Sequence, residues 1–123
     1  MLLDLDEFKP VNDSYGHEIG NVVLQQVAQR FTRSIPTGSV LARLGGDEFG
    51  VLIYGSYEET LEAAYALQAT CSYPFLIEGH TIKIGVSIGH VYNDGAGELL
   101  ERADAAMYEA KRNKAGVVRS DAT

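Results

Sequence analysis

The stretch VLARLGGDEFGVLI, residues 40–53, constrains the fold most. Two apolar runs, Val40–Leu44 and Phe49–Tyr54, read as β-strands joined by a tight turn, so this is a hairpin. The turn holds two glycines, Gly45 and Gly46, and two adjacent carboxylates, Asp47 and Glu48. A hairpin alone is marginal in water and needs further strands or a helix layer.

The rest of the chain supplies both. Met1–Leu5 is an apolar run too short for a helix and reads as a buried strand ending in acids. Asp6 stands where a helix N-cap would, before EFKPVNDSY, and Gly16 where a C′ glycine would end that helix; Pro10 falls near its first turn. Ile19, Val23, Val27 and Phe31, with Leu24 and Ala28, recur at helical spacing from about His17 to Arg33, and SIPTGS stops that helix. Leu61, Ala64, Tyr65 and Gln68 mark a third helix running to about Cys71. Phe75–Glu78 and Thr81–Val91 read as a strand pair turned at Gly79-His80, with Ile82, Ile84, Val86 and Ile88 alternating. Leu99, Leu100, Ala103, Ala106, Met107 and Ala110 form a last helical stripe, ending in a basic turn before Gly116. This order predicts one α+β domain over residues 1–123, an antiparallel-rich central sheet covered by helices, with the first strand beside the hairpin.

Composition narrows the partners. With 46% apolar residues in 123, the chain can bury a core without staples. A net charge of −7 argues against a nucleic-acid backbone as partner. The lone Cys71 cannot form an internal disulfide, and neither a basic-plus-apolar leader nor a long uncharged apolar run is present, which points to a cytoplasmic domain without membrane contact. The strand-like pattern begins at Met1 without a preceding cap or turn, as in a piece of a longer protein.

If the first strand lies beside the hairpin, Asp4 comes close to Asp47 and Glu48. Three neighbouring carboxylates are tolerable only if one is protonated or a cation sits among them, and hard oxygen ligands with open positions suit Mg²⁺ holding substrate phosphates. Gly45 and Gly46, without Cβ atoms, would let a phosphate chain approach the backbone. Taken alone, the same residues are also read as ordinary hairpin chemistry with a solvated glutamate.

RLGGDEF (Arg43–Phe49), LDLDEFKPVNDSYGHEIGN (Leu3–Asn21), SIG (Ser87–Gly89) and RADAAMYEAKRN (Arg102–Asn113) together resemble the GGDEF-domain family, the diguanylate cyclases. The match spans nearly the whole chain in the family's order but omits the family's opening helix, so the chain resembles an N-terminally truncated GGDEF domain of palm-like cyclase fold. The resemblance implies condensation of two GTP into cyclic di-GMP with release of two pyrophosphates, by two domains meeting face to face as a homodimer. It implies two Mg²⁺ ions, a role Mn²⁺ can also fill, on Asp4, the Leu5 carbonyl, Asp47 and Glu48, with Asp47 also the acceptor of the 3′-hydroxyl proton. Lys9 and Lys111 match lysines near the triphosphate, and Asn12 and Asn21 match positions reading the guanine edge, with His17 between them. Four of them have a plainer reading: a solvated helix lysine for Lys9, a cap for Asn12, a core histidine for His17, a helix-dipole partner for Lys111. A sensor or EAL phosphodiesterase domain in the parent chain is also implied.

Three positions depart from the family pattern. Asn21 replaces an Asp that accepts from both guanine N1–H and the exocyclic amine. Ala115 replaces a phosphate-binding arginine, with Lys114 beside it. Pro36 and Ser39 fall where the inhibitory product site has its arginine and aspartate, so product inhibition by that route is not expected. An active cyclase and a non-catalytic GTP-binding module regulating an attached domain are therefore both readings of this chain, and whether the piece is active by itself stays open.

Overall fold

The structure is a computed structural model describing residues 1–120. The strands are β1 (Leu2–Asp6), β2 (Val40–Gly45), β3 (Glu48–Leu52), β4 (Phe75–Ile77), β5 (His80–Ile82), β6 (Gly85–His90) and β7 (Val117–Arg119). The helices are α1 (Phe8–Tyr15), α2 (His17–Ser34), α3 (Tyr57–Thr70) and α4 (Leu99–Asn113). Five strands form one sheet in the order β2-β3-β1-β6-β7, antiparallel except for the parallel β6–β7 pair. The first strand lies beside the hairpin as the sequence predicts.

Period two along the central strands divides their residues between two faces. Leu3 and Leu5 of β1, Phe49 and Val51 of β3, and Val86 and Ile88 of β6 enter the main core with Val23, Val27, Phe31 and Leu67 of α2 and α3. Leu2 points the other way, packing on Ala103 and Met107 of α4. Asp4 and Asp6, at the same parity as Leu2, share its face. Gly89 lets α4 approach β6, because a Cβ there would overlap the Ala103 carbonyl and the Met107 amide. That face of β2 and β3 is open: Val40, Leu44 and Leu52 are exposed and line an apolar hollow of about 630 Å³.

Several local expectations are corrected by tertiary contacts. Asp6 closes β1 instead of capping α1; the N-cap is Glu7, at φ 64°, with no side-chain cap bond. Asp6 is engaged elsewhere, its Oδ1 accepting from Ser87 Oγ at 2.8 Å. The run Thr81–Val91 breaks at Lys83-Ile84, so β5 pairs with β4 in a separate two-stranded sheet and β6 pairs with β1. The β4–β5 turn is Glu78-Gly79, both at positive φ, rather than Gly79-His80. Tyr65 and Leu100, assigned to helical stripes, are exposed, and Ala63 and Leu67 complete the buried face of α3. The left-handed C-cap of α4 is Lys114. β7 has no signature in the sequence, because three residues are too few to show a period.

Candidate active site

β1 and β3 pair antiparallel with Asp4 directly opposite Glu48, which sets both side chains on one face. The β2–β3 turn is held beside the end of β1 by a hydrogen bond from the Leu5 amide to the Asp47 carbonyl, 3.0 Å. Gly45 pairs with Glu48, so the turn proper is Gly46-Asp47 and Asp47 sits at its tip. Gly46, at φ 47°, adopts a left-handed conformation that glycine takes without cost, and the space over Gly45 and Gly46 is open. Arg43 Nε donates to the Gly46 carbonyl at 2.9 Å and braces the turn.

Lys111 reaches this corner from the last turn of α4. Its Nζ donates to the Leu5 carbonyl at 3.2 Å and lies 3.3 Å from both Asp4 Oδ1 and Asp6 Oδ1. Asp4 Oδ1 is buried and accepts no hydrogen bond of good geometry, so the ammonium is its countercharge. Burial first, then the charges of Asp47 and Glu48, raise the Asp4 carboxyl above its ordinary value against the opposing pull of Lys111. Burial alone would lower Lys111, but Asp4 and Asp6 outweigh it and hold the ammonium above its ordinary value.

The donor set of Asp4, the Leu5 carbonyl, Asp47 and Glu48 is all hard oxygen and includes a buried carboxylate oxygen without a hydrogen bond, which fits a hard divalent cation. Among the described residues no three acidic, histidine or cysteine side chains converge as a ready-made metal cluster. The acids are neighbours, yet they do not close on one point as expected from the sequence. Repulsion among them is relieved by Lys111 instead, and a bound cation would draw its remaining ligands from phosphates and water.

The other expected residues fall around this corner. Lys9 is exposed on the first turn of α1, two residues after the left-handed Glu7. Asn12 lies on α1 against the start of α2, where a Cβ on Gly20 would overlap its Oδ1. His17 and Asn21 are exposed on the first turns of α2, which removes the core-histidine reading of His17. Asn12 caps no helix, since α1 ends on Gly16, whose amide donates to the Asn12 carbonyl at 2.9 Å. Lys111 and Lys114 share the wall of a hollow of about 550 Å³ with Asp6, Glu7 and Gln68. Asp6, read from the sequence as a helix cap, is instead a neighbour of the site, and the period-two match of Asp4 and Asp6 is the signal that points to it; Lys114, beside Ala115, lies on the same wall.

A family model described as "Diguanylate cyclase, GGDEF domain" matches residues 1–116. The chain belongs to the GGDEF family. This GGDEF domain is 41% identical over 116 residues, 90% of the chain, to the bifunctional diguanylate cyclase/cyclic di-GMP phosphodiesterase MucR of Pseudomonas aeruginosa. It is 38% identical over 119 residues, 93% of the chain, to the cyclic di-GMP phosphodiesterase PdeR of Escherichia coli. The chain spans 17% of the first relative and 18% of the second. Among solved structures, the GGDEF domain of TpbB (YfiN) from Pseudomonas aeruginosa superposes with a TM-score of 0.92 at 32% identity, covering 99% of this chain and 81% of that one. The α+β sheet architecture is thus that of solved GGDEF domains. Among the described residues no helix is long and apolar enough to cross a membrane.

Proposed function

We propose that this GGDEF domain is the catalytic half-site of a Mg²⁺-dependent diguanylate cyclase, joining two GTP into cyclic di-GMP. The observation that carries the reading is the juxtaposition of Asp4 and Leu5 with the Gly45–Glu48 turn, fixed by the Leu5 amide to Asp47 carbonyl bond. It sets carboxylates beside an open glycine backbone, an arrangement suited to a metal-bound triphosphate.

In this mechanism Asp4, the Leu5 carbonyl, Asp47 and Glu48 would hold two Mg²⁺ or Mn²⁺ ions, which when bound would supply charge stabilisation at the attacking and leaving oxygens. Asn12 and Asn21 orient guanine, with His17 beside them, and Gly45 and Gly46 admit the phosphates to the backbone. Asp47 accepts the proton of the 3′-hydroxyl, whose oxygen forms a bond to the α-phosphorus of the GTP held by the facing domain. The bond from that phosphorus to pyrophosphate breaks, and Lys9 and Lys111 stabilise the charge that gathers on the leaving group. The same exchange in the opposite sense closes the ring, so the reaction needs a homodimer of GGDEF domains. Incubating the full-length protein with GTP and Mg²⁺ tests this: cyclic di-GMP and pyrophosphate in a 1:2 ratio are expected, and their absence from a GTP-binding protein overturns catalysis.

Asn21 and Ala115 favour a second reading, a GTP-binding module that regulates an attached EAL or sensor domain; the likeness to a relative named as a phosphodiesterase is in line with it. That reading expects GTP binding without turnover.

A further inference from the structure

We propose that the ammonium of Lys111 is a built-in placeholder for the metal: it occupies the cation position between Asp4 and the Leu5 carbonyl, and divalent ion and lysine exclude one another there. The inference rests on the metal site proposed above and goes beyond it in giving this lysine two positions, of which phosphate contact is one.

The geometry carries it. Lys111 Nζ lies 3.2 Å from the Leu5 carbonyl oxygen and 3.3 Å from Asp4 Oδ1, the two ligands that β1 offers a cation. Only one positive centre can use that pair closely: an ammonium and a divalent ion both held against them would repel strongly at a few ångströms. A carboxylate with one oxygen buried and no cation beside it is costly, so an internal ammonium stabilises the corner when no metal is bound.

A third contact gives the lysine somewhere to go. Asp6 Oδ1, also 3.3 Å from Nζ, is anchored independently by Ser87 Oγ at 2.8 Å. With its side chain 40% exposed, Lys111 can release Asp4 and Leu5 while keeping Asp6, and turn into the hollow it shares with Lys114. An incoming nucleotide–metal pair then meets a vacated oxygen pair and a lysine facing the phosphates. Metal without nucleotide has to displace the ammonium with no phosphate to receive it. Lys111 thereby couples metal affinity to nucleotide occupancy.

The test is Mn²⁺ binding to the full-length protein, followed by electron paramagnetic resonance, with and without GTP. Lys111→Met is expected to bind Mn²⁺ alone at least fivefold more tightly than wild type while binding GTP–Mn²⁺ more weakly. Lys111→Arg, which keeps the charge, should not gain Mn²⁺ affinity, and it guards against a folding effect of the methionine. Unchanged or weaker Mn²⁺ binding by Lys111→Met, with wild type still taking Mn²⁺ in the presence of GTP, overturns the placeholder and leaves the metal site standing. Failure of wild type to bind Mn²⁺ even with GTP overturns both.

Discussion

A missing Cβ at Gly20 sets where Asn12 stands. The space a Cβ would fill holds Asn12 Oδ1, the end of a flexible side chain, whereas Phe8 is at ordinary contact distance. Gly20→Ala is therefore expected to leave thermal stability unchanged or raise it, since alanine in a helix is favoured by about 1 kcal/mol. It should nevertheless weaken GTP binding about tenfold by turning Asn12 aside. A calorimetric titration beside a thermal melt checks this; undiminished affinity would mean that Asn12 does not meet the base. Asn21, exposed on α2, presents a neutral amide where a carboxylate would accept twice from guanine. Asn21→Asp should tighten GTP binding about fivefold, or ~1 kcal/mol, an amount limited by solvent exposure. ATP binding should not change, because adenine lacks the N1–H donor. Titrating both nucleotides against both variants decides it, and equal GTP affinities would remove Asn21 from base recognition.

Among the elements, α3 begins with a capping box: Ser56 Oγ accepts from the Glu59 amide at 3.1 Å and Glu59 Oε1 accepts from the Ser56 amide at 2.9 Å. The Ser56 hydrogen bonds hold the Glu59 carboxyl below its ordinary value. Ser56→Ala should cost about 1 kcal/mol and lower the melting temperature by about 4 °C at pH 7. The contribution of Glu59 is complete above the ordinary glutamate pKa of about 4.3 and is lost as pH falls through the depressed folded-state value. Glu59→Gln should accordingly melt below wild type at pH 7 and match it in strong acid. Melting curves across that range check both, and a gap that persisted in acid would show that the box acts through something other than the carboxylate. The other helix starts have no such device. Glu7 and Glu98, the N-caps of α1 and α4, are left-handed and make no side-chain cap bond, so α4 depends on packing against the sheet and α1 on packing against α2 and the main core.

Across the molecule, the α4 face of the sheet divides along the strands. One end is apolar, around Leu2, Ala103 and Met107; the other gathers Asp4, Asp6, Glu48 and Lys111. The polar end costs the metal-free fold stability. Asp4 is raised chiefly by burial, so the folded state binds its proton more tightly than the unfolded chain does. Stability then falls as pH rises from the ordinary aspartate value of about 3.9 through the raised one, and the whole cost is present at pH 7. Asp4→Asn should melt at or above wild type in metal-free buffer at pH 7, with the difference closing below about pH 3.9. The same substitution should weaken Mg²⁺-dependent GTP binding tenfold or more. A variant that lost stability and kept nucleotide binding would place Asp4 in the scaffold rather than the site.

Elements whose cause is local are legible in the amino-acid order. Alternation in β6, the stripe of Val23, Val27 and Phe31, and the glycine-and-acid turn of residues 45–48 each follow from side-chain spacing or turn chemistry within a few residues. The motif matches likewise pointed to the family, and the place of β1 beside the hairpin was legible, whereas the places of β6 and β7 at the far side of the sheet were not. Features that depend on residues far apart in the chain emerge from the folded molecule alone. Asp6 leaves the helix cap because Ser87, 81 residues away, and Lys111, 105 residues away, hold its carboxylate. Thr81–Val91 divides because its two halves find partners in different sheets. Tyr65 and Leu100 carry the right spacing for a core stripe yet stay in solvent, since a helical period does not say how wide a face its neighbours cover. The ammonium among the expected metal ligands is of the same kind: no local pattern joins Lys111 to Asp4, and packing of α4 on the sheet does.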